Sequence, residues 1–217
     1  MSDIILTLED NITVRRLREG DAETLTRHAN NRKIWQNMTD RFPHPYTLDD
    51  SQWWIKHCND KAQWLSTISP SASGRSETET KEVFEARRAE SVLPTNYAIC
   101  HLDKPIGCCG IELDVRAPTS VSIGYWLGEE FWGRGIATQV ATEFSKWIFD
   151  TFDWIVRVEG DAYSWNGGSQ KVLRKSGFEY EGVQRMKAFK GGKYGDVVLF
   201  GKVRPGFKPV LMKTSDP

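Results

Sequence analysis

A chain of 217 residues is long enough for one domain with a sizeable core. Its 29 Lys and Arg balance its 29 Asp and Glu, so no basic field argues for nucleic acid and no acidic tail for a basic partner. No apolar run approaches the ~20 residues of a membrane span, and Met1-Ser2-Asp3-Ile4-Ile5 lacks the basic head and apolar stretch of a secretory signal. A cytoplasmic protein with no membrane and no nucleic-acid partner is expected.

Ile12-Thr13-Val14-Arg15-Arg16-Leu17 alternates and predicts a strand. Asp21 is placed to cap a helix over residues 22–31. A loop with Pro43 and Pro45 follows. Thr47-Leu48-Asp49-Asp50 then resembles a capping box and predicts a helix carrying Trp53, Trp54, His57 and Cys58. From Ser66 to Thr80 the composition turns to Ser, Thr, Gly and Glu, and residues 82–91 fit a short polar helix. Residues 66–93 therefore read as a surface insertion in a single domain over 1–217, too short and polar for a core of their own.

Residues 96–102 and 105–113 read as a hairpin turning at Asp103-Lys104, and residues 120–127 as the next strand. Ile136, Val140, Phe144, Trp147 and Ile148 recur at helical spacing. Residues 155–160 read as a strand. Asn166 to Ser176 forms a short helix stopped at Gly177. Residues 178–185 and 194–203 make a last strand pair around Gly191-Gly192. Cys58, Cys100, Cys108 and Cys109 show no zinc spacing, and adjacent Cys108 and Cys109 point to opposite faces of a strand, so reduced, buried thiols are expected. His28, His44, His57 and His101 make no metal-site spacing.

Chemistry concentrates in Glu129-Glu130-Phe131-Trp132-Gly133-Arg134-Gly135-Ile136-Ala137-Thr138. Two glycines beside an arginine at a helix start favour phosphate: free N–H groups point outward, the dipole attracts negative charge, and glycine lets the backbone approach. A dinucleotide fingerprint wants G-x-G-x-x-G and an acid about 20 residues on. Thr138 stands at its third position, Asp153 or Glu159 meets the spacing, and no early βαβ unit precedes it. The alternative is the coenzyme A loop of GNAT-type N-acetyltransferases, Q/R-x-x-G-x-G/A, whose end Arg134-Gly135-Ile136-Ala137 resembles. Ile123-Gly124-Tyr125-Trp126-Leu127 followed by Trp132-Gly133-Arg134-Gly135 resembles the branch that acetylates ribosomal-protein N-termini. A second segment, Asn166-Gly167-Gly168-Ser169 through Lys175-Ser176-Gly177-Phe178, is similar to the family's N-x-x-S…K-x-G-F. The element order β-α-α-β-β-β-α-β-α-β-β agrees with that fold over residues 12–203, the insertion excepted.

The resemblance implies an α/β fold: a central, mostly antiparallel mixed sheet flanked by helices and splayed between its fourth and fifth strands. It implies acetyl-CoA as cosubstrate. Backbone N–H groups of Trp132, Gly133, Arg134, Gly135, Ile136, Ala137 and Thr138 would cradle the pyrophosphate, with Arg134 adding charge. Backbone groups of Trp126, Leu127 and Gly128 would pair with the pantetheine arm like an added strand. Asn166, also suited to N-capping its helix, would position coenzyme A, and Ser169 would donate to the leaving thiolate.

The family's base is missing from both matching places, which hold Ser122 and Ala188. Glu112, Glu159 and Asp161 are the nearby carboxylates, each equally readable as a strand-end charge. Asp196 is expected to make a structural hydrogen bond. Trp35 to Trp54, above all Arg41-Phe42-Pro43-His44-Pro45-Tyr46, is expected to wall the acceptor side. The function so implied is acetyl transfer straight to a primary amine, on a protein N-terminus or a small molecule, by a monomer or homodimer. No cysteine beside a base offers a covalent route. The rivals are a catalytically silent acyl-CoA-binding sensor or scaffold and a nucleotide-dependent oxidoreductase.

Overall fold

The computed structural model describes residues 3–70, 75–76, 78–114 and 117–208. In chain order these form β1 (Ile4–Thr7), β2 (Ile12–Arg15), α1 (Ala22–Ala29), α2 (Arg32–Trp35), α3 (Leu48–Asn59), β3 (Leu65–Ser66), α4 (Lys81–Glu90), β4 (Val92–Leu93), β5 (Asn96–His101), β6 (Lys104–Leu113), β7 (Ser120–Leu127), α5 (Ile136–Thr151), β8 (Arg157–Tyr163), α6 (Gly167–Lys175), β9 (Glu179–Lys190) and β10 (Lys193–Val203). Eight strands make one sheet in the order β1-β2-β5-β6-β7-β8-β10-β9, while β3 and β4 pair separately. No helix of the described residues is long and apolar enough to cross a membrane.

Strand alternation puts a different apolar set on each face of the sheet. On one face Tyr97, Ile99, Cys109, Ile111, Val121 and Ile123 pack with Val140, Phe144 and Ile148 of α5. On the other, Ala98, Cys100 and Cys108 pack with Leu25 of α1 and Ile55 and Cys58 of α3. Each Val, Ile, Leu or Phe among them contributes roughly 1.5–3 kcal/mol on full burial, so sixteen-residue α5 is held mainly by its apolar stripe. Cys108 and Cys109 serve opposite faces, and all four thiols are free and buried.

Neighbouring strands are antiparallel except β7 and β8. These are parallel over only Ser120↔Arg157, Val121↔Val158 and Ser122↔Glu159. β7 then runs on to Leu127 and β8 to Tyr163 without pairing, which opens a wedge in the sheet. The strands that part are the fifth and sixth of the sheet in chain order, because β1 adds an edge strand that the sequence reading omits.

Several local expectations change. Asp21 makes no side-chain cap to α1. Its carboxylate is buried and accepts instead from Arg15 Nη1 and Nη2 at 2.8 and 2.9 Å. A buried guanidinium is a stronger claimant for a carboxylate than a helix amide. The β5–β6 turn falls at Leu102-Asp103, both left-handed (φ 50° and 61°), because His101 pairs with Lys104. β8 starts at Arg157 rather than at Ile155, which is fully buried just before the strand. Chain 66–93 leaves and returns through the β3–β4 pair, with Leu65 opposite Leu93. Within it Thr80 caps α4, and Phe84 is the helix's buried anchor; the residues 71–74 and 77 lie outside the described ones.

Candidate active site

The wedge ends at the glycine loop. Gly133 and Gly135 take left-handed φ values of 75° and 82°, which only glycine adopts without strain. Gly135 is the N-cap of α5. Of the seven amides expected to face phosphate, Trp132 N–H donates to Glu129 O at 3.1 Å and Thr138 N–H to Gly135 O at 3.0 Å. The five between them, Gly133 to Ala137, donate to no acceptor among the described residues. Five free donors at the positive end of a sixteen-residue helix make a chemistry suited to an anion. Arg134 is exposed beside it, its guanidinium 5.4 Å from the Phe131 ring centre.

At the end of β7 two backbone groups are already engaged. Gly128 N–H donates to Ile106 O at 2.7 Å, and Leu127 O accepts from the Trp132 indole at 2.8 Å. Gly128 lies against buried His28, whose Nδ1 would stand 2.7 Å from an added Cβ. That leaves Trp126 as the expected pantetheine position with neither of these bonds.

Across the wedge α6 presents Asn166 and Ser169. Asn166 Oδ1 accepts from Ser169 N–H at 3.1 Å, so it is the helix N-cap. The Ser169 hydroxyl is hydrogen-bonded to that of Tyr125, at 2.9 Å. Burial pushes the Tyr125 pKa up to about 12, partly offset by the bond to Ser169. The phenol is therefore neutral and hydrogen-bonded at physiological pH. Nothing local in the sequence marks Tyr125 as Ser169's partner, since 44 residues separate them.

The opposite face of the wedge is roofed by the segment between α2 and α3. Phe42 meets Trp126 edge to face at 5.9 Å. Arg41 Nη2 lies 3.6 Å from Glu112 Oε1. The hydroxyl of Tyr163 donates to Met38 O at 3.4 Å, and the Trp165 indole to Gln36 O at 3.2 Å. Lys190 Nζ donates to Thr39 O at 3.0 Å and lies 4.3 Å from the Trp35 ring centre. The roof thus touches β6, β7, β8 and β9, over the stretch from which an acceptor wall is expected. Trp53, Trp54 and His57 of α3 instead stack on one another.

Ser122 and Ala188 carry no base. Ala188 is buried opposite Gly195. Glu112 and Glu159 flank Ser122 in register, and Asp161 follows one pleat beyond Glu159. Asp196 Oδ1 accepts from Met186 N–H at 2.9 Å, where β9 bulges and Met186 is left-handed (φ 56°). The thiols offer no nucleophile near neutrality. Burial pushes Cys100 up to about 12, and raises Cys58, Cys108 and Cys109 further.

The family profile described as "Acetyltransferase (GNAT) domain" matches residues 11–179. A curated relative, the uncharacterized N-acetyltransferase p20 of Bacillus licheniformis, is 28% identical over 102 residues, 47% of this chain and 57% of its own. The chain thus spans little more than half of that relative. Among solved structures, the ribosomal-protein-S5-alanine acetyltransferase of Vibrio fischeri superposes with TM-score 0.68 at 17% identity, over 94% of this chain and 100% of its own. The microcin C7 self-immunity acetyltransferase MccE, solved with acetyl-CoA and AMP, gives 0.68 at 21%, over 90% and 94%. These likenesses agree with the splayed sheet, and the profile match, spanning well over half the residues, carries the assignment: the chain belongs to the GNAT acetyltransferase family.

Proposed function

We propose that this protein is an acetyl-CoA-dependent N-acetyltransferase that moves the acetyl group directly to a primary amine. The observation that carries the reading is the run of five unpartnered amides at Gly133–Ala137, at the mouth of a wedge whose wall bears the Tyr125–Ser169 hydroxyl pair. The pyrophosphate of acetyl-CoA takes the amides, with Arg134 beside it. The pantetheine arm follows β7 past Trp126, and Asn166 orders the α6 turn that faces it. MccE, bound to acetyl-CoA, lends support from a chain of the same fold.

In the transfer, the neutral amine nitrogen attacks the thioester carbonyl carbon and a C–N bond forms. The C–S bond breaks as the tetrahedral adduct collapses. The thiolate takes a proton from the Ser169 hydroxyl, which Tyr125 replenishes. The proton lost by the nitrogen leaves on the acceptor side. The four suppressed thiols favour this direct route over an acyl-cysteine. Their free state also suits a reducing compartment such as the cytoplasm. The acceptor is a peptide N-terminus or a small-molecule amine, lying under the 35–46 roof.

Calorimetric titration with acetyl-CoA, with NADH as control, tests the donor site, and coenzyme A release with an amine panel tests the transfer. Binding of acetyl-CoA alone is expected. Binding of NADH alone would return the loop to the dinucleotide reading. A second reading, a silent acyl-CoA sensor, draws on Ser122 and Ala188 standing where carboxylates are expected. Turnover with any amine rejects it.

A further inference from the structure

We propose that Asp161 is the acceptor-side proton acceptor, taking the place of the carboxylates absent at Ser122 and Ala188. The inference rests on the amine-transfer reading above and gives it a residue for its missing step.

The placement follows from register. Gly160 faces α6, where an added Cβ would lie 2.5 Å from Leu173 Cδ2. Glu159, Asp161 and Tyr163 therefore project from β8 to the other face, under the 35–46 roof. β7 and β8 pair last at Ser122↔Glu159. The next residues on that face are Gly124 and Asp161, on strands that have already parted. Gly124 has no side chain, and nothing lies within 4 Å of where its Cβ would be. Asp161 is thus the first carboxylate to face open space in the wedge, level with the strand along which the donor is proposed to run.

The neighbouring carboxylates each have an arginine beside them, Glu112 at the exposed rim and Glu159 within the sheet. Glu112 is paired with Arg41 at 3.6 Å. Glu159 accepts from Arg157 at 2.8 Å and from Ser120 at 3.2 Å. Asp161 has no ion pair among the described residues. Around it stand Glu112 from β6, Glu159 and Tyr163 from β8, Leu199 from β10, Lys187 from the β9 bulge, and Asp40 and Arg41 of the roof beside Tyr163 and Glu112. That bulge is fixed by Asp196 through the N–H of Met186, the residue before Lys187.

The electrostatics agree with the geometry. Asp161 keeps solvent exposure as a residue, yet partial desolvation of its carboxylate raises its pKa, Glu112 and Glu159 push the same way, and its own backbone amide and Lys187 oppose them. With its pKa raised, this carboxylate is a stronger base than a free aspartate. It attracts an incoming ammonium, takes one proton from R–NH3+ to leave R–NH2 and Asp161–COOH, and returns that proton to solvent after transfer.

The test compares wild type, Asp161→Asn and Asp161→Glu for coenzyme A release with a seryl peptide, spermidine and benzylamine, across pH, beside acetyl-CoA affinity by calorimetry. At about pH 7 the Asn variant is expected to lose roughly 100-fold in kcat/KM, the Glu variant less, with acetyl-CoA affinity unchanged. At about pH 10, where the amine is largely neutral, the deficit should shrink to under ~10-fold. Retained activity near neutrality, a deficit independent of pH, or a matching fall in acetyl-CoA affinity would overturn the role of Asp161 alone. Acetyl-CoA binding without wild-type turnover on any of the three amines would overturn the transfer reading and this role together.

Discussion

The hydroxyls of Tyr125 and Ser169 stand 2.9 Å apart, joining β7 to the first turn of α6 across strands that have ceased to pair. Asn166 fixes the serine from its own helix through the Ser169 amide. Ser169 is therefore oriented from both walls of the wedge before any donor arrives.

Tyr125→Phe removes one of these two supports. A neutral hydrogen bond contributes about 1 kcal/mol, so kcat should fall roughly five- to tenfold with acetyl-CoA affinity retained. Ser169→Ala should cost more, and the double variant should match Ser169→Ala alone, because the tyrosine acts through the serine. Steady-state kinetics of the three variants check this; additive losses would separate the two residues.

Gly135→Val forces a β-branched residue to the left-handed φ of 82°. No neighbour lies within 4 Å of the new Cβ, so the penalty is backbone strain of about 1–2 kcal/mol and a turned amide set rather than a clash. Acetyl-CoA affinity should drop by more than about tenfold, while Gly20→Ala, also in open space but without a left-handed φ, should bind normally. Calorimetry on both variants reads the difference.

Arg15 is 1% exposed and is held by buried Asp21 and by the exposed Asp103. Asp21→Ala strands a buried charge and should lower unfolding free energy by about 3 kcal/mol. Asp103→Asn, which keeps a residue suited to the left-handed turn and removes only the surface charge, should lower it by about 1 kcal/mol or less. Urea denaturation of each variant measures the contrast.

His28 is buried under Gly128, and burial lowers its pKa, helped by Arg27 and partly opposed by Glu130. Its folded pKa thus lies below the unfolded value of 6.5. Above that value both states are neutral. As pH falls below it, the unfolded chain takes up a proton that the folded one resists, so stability declines. His28→Gln should flatten the dependence of the urea midpoint on pH in this window; an unchanged slope would place the acid sensitivity elsewhere.

Much of the frame is local and was legible. Thr47 and Asp50 form the capping box their spacing suggests. The glycines of the loop adopt the φ values that only glycine makes easy, and Asn166 caps its helix. Such signals act over three or four residues, within reach of propensity and capping rules. β1 escaped because four residues on a sheet edge carry little alternation of their own; its turn residues Asp10 and Asn11, both left-handed, were the available cue. Asp21 was misread because its true partner, Arg15, is chosen by burial rather than by helix position.

What the amino-acid sequence determined by itself was the family pattern, the order of the main elements and the left-handed glycine turn before α5, since each is written in short-range spacing. Only the tertiary structure decided that Tyr125 reaches Ser169, that the 35–46 segment roofs the groove, and that Asp161 rather than Glu112 or Glu159 is left unpaired. Those relations depend on where β7 and β8 stop pairing, and strand register is set by side-chain packing between distant segments rather than by either segment alone.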